Sequence, residues 1–70
     1  MFKDTALAAI NAGANIRTRV TSQETMVAMA AAARTRGLHV TFVGEVSEEV
    51  AVAVASAGNG HVTFDDADAE

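Results

Sequence analysis

The chain contains no cysteine, tryptophan or tyrosine. Without cysteine, neither a disulfide framework nor a cysteine-based zinc site can brace the fold. Without tryptophan or tyrosine, and with a formal charge of −4, the usual footprint of a nucleic-acid binder is missing. Large apolar side chains are few: Leu7, Ile10, Ile16, Met26, Met29, Leu38, Phe42 and Phe64, with a set of valines. Alanine is the commonest apolar residue, and it contributes little burial per residue. No stretch approaches the roughly 18 apolar residues of a spanning helix, so no membrane segment is expected. The opening Met1-Phe2-Lys3-Asp4 has an acid where a secretory peptide carries a long apolar run. Absence of cysteine and of such a leader points to the cytoplasm.

Seventy residues make one domain. A chain of this size buries only roughly 60% of its unfolded surface, so the core is thin and self-association, most simply as a homodimer, is expected to support it. A single α/β domain is expected over 1–65, followed by an acidic tail at 66–70 without large apolar anchors.

Three helix–strand units are legible. The first helix is expected at about Asp4 to Ala14, with Leu7, Ile10 and Ala14 on one side, ended by Gly13 and Asn15; the strand Ile16–Val20 follows. Thr21-Ser22-Gln23-Glu24 has the form of a capping box, and Met26, Met29, Ala30 and Ala33 then share a helical face. Arg34 and Arg36 complement the dipole in the last turn, and Gly37 ends the helix before the strand Leu38–Val43. Ser47 is a good N-cap, Glu48 and Glu49 suit the positive end of a helix, and Gly58 suits its C-cap. Val50, Val52 and Val54 also alternate with alanine as a strand would, with Asn59-Gly60 as its hairpin turn. The caps favour helix over 50–55. The last strand is His61–Asp65.

His-Val-Thr-Phe occurs at 39–42 and again 22 residues on, at 61–64, and a further step back of 22 reaches Arg17. The pattern suggests a repeated αβ unit. Within the strands Ile16, Thr18 and Val20, Leu38, Val40 and Phe42, and Val62 and Phe64 point one way. Arg17, Arg19, His39, Thr41, His61, Thr63 and Asp65 point the other. Crossovers between parallel strands are right-handed, so one apolar face demands that the sheet grow in one direction. The expected fold is a two-layer α/β structure: a small parallel three-stranded sheet of order 1-2-3 with its helices on one face. The other face is left polar, which is unusual for parallel strands.

That face holds the candidate site. Arg17, His39 and His61 are expected in one lateral row and Arg19, Thr41 and Thr63 in the next, with neighbours about 4.8 Å apart. A guanidinium beside imidazoles and hydroxyls can hold a phosphate or carboxylate by charge-assisted hydrogen bonds. The plainer reading is a set of solvent-facing strand residues, threonine being at home in strands for its β-branch. His39 and His61 have only Asp65 as a third metal ligand, short of a good zinc site, so neither metal nor cofactor is expected. Ser22 and Ser47 read as helix starts, and no serine has an evident histidine base. Gly58-Asn59-Gly60 leads from helix into strand, the reverse of a phosphate-binding glycine turn. The alanines of the second helix suit either a close helix contact between copies or simple helix propensity. The expected function is a small, non-enzymatic interaction or accessory protein that self-associates and binds another macromolecule. The alternative is a small-anion or phosphate binder using the polar face.

Overall fold

The computed structural model describes residues 2–66, so of the expected acidic tail only Asp66 is included. Six elements alternate: α1 (Lys3–Asn11), β1 (Ile16–Arg19), α2 (Gln23–Arg36), β2 (Val40–Val43), α3 (Glu48–Gly58) and β3 (Val62–Asp65). The strands form one parallel sheet in the order β1-β2-β3. Order and polarity agree with the sequence pattern, and the helices lie together on the apolar face. Ile16, Val40 and Phe42 from the sheet form one cluster with Ala6 and Ile10 of α1, Met26, Met29, Ala30 and Ala33 of α2, and Val54 of α3.

Residues 50–55 are helical, and the reason lies at the ends of the element. The Ser47 hydroxyl accepts from the Val50 amide at 3.3 Å, and Asn59 closes the helix in the left-handed region with φ 42°. A strand would have left Glu48 and Glu49 without the helix dipole they now complement. In α2 the capping residue is Ser22 rather than Thr21: its hydroxyl accepts from the Thr25 amide at 3.3 Å and donates to the Thr25 hydroxyl at 2.9 Å. Glu24 falls in the first turn, with Lys3 of α1 at 3.9 Å. Gly37 caps the other end at φ 69°, and the Leu38 amide donates to the Ala33 carbonyl. α1 stops at Asn11, three residues short of the expected end, because Gly13 at φ 106° has already turned the chain toward β1. Ser22→Ala and Ser47→Ala are each expected to cost about 1 kcal/mol, read from urea unfolding.

α2 is the middle helix, packed on α1 at one side and α3 at the other. Ala30 and Ala33 are fully buried there and Ala31 is exposed. The alanines of this helix are therefore used largely inside the chain, where small side chains let three helices lie close over a narrow sheet.

Candidate functional site

The uncovered face carries the odd-numbered residues of the strands. β1 contributes Arg17 and Arg19, β2 Thr41 and Val43, and β3 Thr63 and Asp65. His39 and His61 lie just before their strands and extend the same face.

The lateral rows differ from the expected ones. Ile16 aligns with Val40 and Val62, so the rows are Arg17–Thr41–Thr63 and Arg19–Val43–Asp65. His39 aligns with His61, but Arg17 stands two residues further along β1. The cause is the length of the connecting units. α2 has 14 residues and α3 has 11, so the strand starts at 16, 40 and 62 are unevenly spaced. A uniform step of 22 therefore misplaces β1. The Asn15 side-chain carbonyl takes the place next to His39, accepting from its amide at 2.9 Å.

With that register several polar groups of the face find partners within the chain. The His39 Nε2 is hydrogen-bonded to the Thr63 hydroxyl on β3. His61 donates from Nδ1 to the Leu38 carbonyl at 2.7 Å, which fixes its tautomer. Arg17 reaches across β2 to Asp65, 3.5 Å away, with the two side chains 66% and 38% exposed. At that exposure the pair adds about 0–1 kcal/mol, yet it changes the chemistry of the face: the guanidinium that would receive an anion already faces a carboxylate. Val43 is buried although it stands outside the apolar cluster, flanked in register by Arg19 and Asp65. Charge therefore runs across the strands, basic on β1, neutral on β2 and acidic on β3. The sequence contains each of these residues; the pairing of Arg17 with Asp65 was hidden because it depends on the two-residue shift.

A second feature had no sequence signal. At the carboxyl ends of β2 and β3, Gly44, Glu45, Val46, Ala51, Phe64 and Asp66 line an open cleft of about 430 Å³. Parallel α/β sheets bind ligands at this end, in the crevice where the strand order reverses direction. Here the order never reverses, so adjacent crossovers do not splay apart to form such a crevice. The cleft offers two carboxylates, a glycine and an apolar wall. Among the described residues, no group of three His, Cys, Asp or Glu side chains could hold a metal ion, and no helix is long and apolar enough to cross a membrane. No protein family, curated protein or solved structure matches the chain.

Proposed function

We propose that the protein is a small non-enzymatic interaction module of the cytoplasm that self-associates and, so assembled, binds another macromolecule. The observation that carries this reading is the strand order. A one-directional parallel sheet covered on a single face has no switch-point crevice for a substrate, while among the described residues it leaves a polar face and two strand edges for other chains. Parallel strands normally have both faces covered, and edges are the usual places where strands add. The thin core works in the same direction, since burial between copies supplements what seventy residues can bury alone.

Sedimentation velocity at micromolar concentration tests this. Species heavier than the 7.2 kDa chain are expected, and a monomer throughout would overturn the reading. Anion binding by the polar face is less well supported, because Asp65 competes for Arg17. Inorganic phosphate at millimolar concentration is accordingly expected to leave the thermal midpoint unchanged in both the parent and Arg17→Ala. Ligand binding to the native state would raise the parent's midpoint and not the variant's.

A further inference from the structure

The helix layer and the sheet do not end together. α1 precedes β1 and packs on α2 and β1 at the outer flank of the first strand, whereas no fourth helix follows β3 among the described residues. Burial follows that offset. Ile16, Val40 and Phe42 are buried, but Val62 and Phe64, on the same apolar side of β3, are only half-buried. Among the described residues, the helix layer overhangs at β1 and the sheet overhangs at β3. The two edges are also opposite in charge, with Arg17 and Arg19 on β1 and Asp65 and Asp66 at the end of β3.

Backbone polarity matches as well. Ile16 and Val20 donate their amides to the His39 and Val43 carbonyls of β2. Alternate residues of a strand turn their amides to the same side, so the Arg17 amide points away from β2 toward the open edge. On β3, the His61 and Asp65 carbonyls accept from Val40 and Gly44. Those of Val62 and Phe64 therefore point to the opposite edge, which no strand pairs among the described residues.

We infer that the β3 edge of one copy docks in parallel beside the β1 edge of a second copy, whose α1 covers the half-exposed apolar side of β3. The inference rests on the self-association reading and names the surfaces it uses. If the stagger of the two strand pairs is kept, Val62 lies beside Ile16 of the second copy, Thr63 beside its Arg17, and Asp65 beside its Arg19. The Arg17–Asp65 pair within each chain is then joined by the same charges across the contact. A second copy is the occupant that the charge pattern selects, since each edge carries the complement of the other. Two β1 edges meeting about a two-fold axis would instead bring arginines together. The docked patches differ, so the contact does not close at two copies but repeats into an open series or a ring.

Two charge-reversed chains test the contact: the double variant Arg17→Glu/Arg19→Glu and the single variant Asp65→Arg. The parent is expected to sediment as a series that grows with concentration beyond the dimer. Each variant alone, folded by circular dichroism, is expected to associate more than about tenfold more weakly, because like charges then face each other. An equimolar mixture of the two should regain the parental series. A dimer of constant size kept by both variants would overturn the edge contact while leaving self-association standing. A monomeric parent would remove both proposals, and a mixture no heavier than its components would overturn the edge contact.

Discussion

Replacing Phe42 by alanine is expected to cost the domain about 3–5 kcal/mol, from about a third of its stability to all of it. Phe42 is fully buried on the central strand, among the largest side chains of the cluster, and its ring lies 6.2 Å from that of Phe64. Each helix of the layer reaches the same cluster, so the cavity left by the ring opens at the point where both layers meet. Truncation of a buried phenylalanine costs about 3–5 kcal/mol. Native stability runs at about 0.05–0.15 kcal/mol per residue, which for seventy residues is about 3–10 kcal/mol in all. The loss therefore consumes about a third to a half of the total at the upper limit and all of it at the lower. Urea unfolding with circular dichroism reads this directly; a variant that unfolds at nearly the parental midpoint would show that the core relaxes around the gap. Phe64→Ala is the comparison, since a half-buried ring has less to lose. Where copies associate through β3, the cost of Phe64→Ala should rise with protein concentration, because the covered ring then belongs to a larger core.

What was legible in the residues was the period and the polarity. Alternation at 16–20, 38–43 and 61–65, joined to one-handed crossovers, is enough to order the sheet and to place three helices on one side. The helix over 50–55 was decided by Ser47, whose capping bond outweighs an alternating valine pattern that either structure would tolerate. Register was not legible, because it depends on how many residues each helix takes to return. The repeated His-Val-Thr-Phe did align correctly between β2 and β3, where the two copies of the motif are present. It failed at β1, which lacks the motif and is separated from β2 by a longer step. The candidate site inherited that error. Its residues share a face as expected, but Arg17 stands beside Thr41 rather than His39, and within reach of Asp65. The rows expected for the anion site thus differ from those observed, in which Arg17 also faces Asp65.

Gly58→Ala is expected to destabilise the protein by about 1–3 kcal/mol, against the sign that helix propensity gives. Gly58 is the last residue of α3, and alanine there would ordinarily gain up to about 1 kcal/mol. Its role is not that of a left-handed cap, which the sequence suggested, because Asn59 takes that conformation instead. A methyl group on Gly58 would fall far inside contact distance of the Val62 Cγ2 and 3.3 Å from the Ala30 side chain. Val62 is β-branched and stiff at χ1, and it is the first residue of β3, so the clash pushes α3 away from both the sheet and α2. Steric cost then exceeds propensity. The discriminating measurement is a double-mutant cycle by urea unfolding. With Val62→Ala already in place most of the overlap is gone, and the cost of Gly58→Ala should fall to less than half of its value in the parent. An equal cost in both backgrounds would mean that the glycine serves its own backbone rather than the approach of helix to strand.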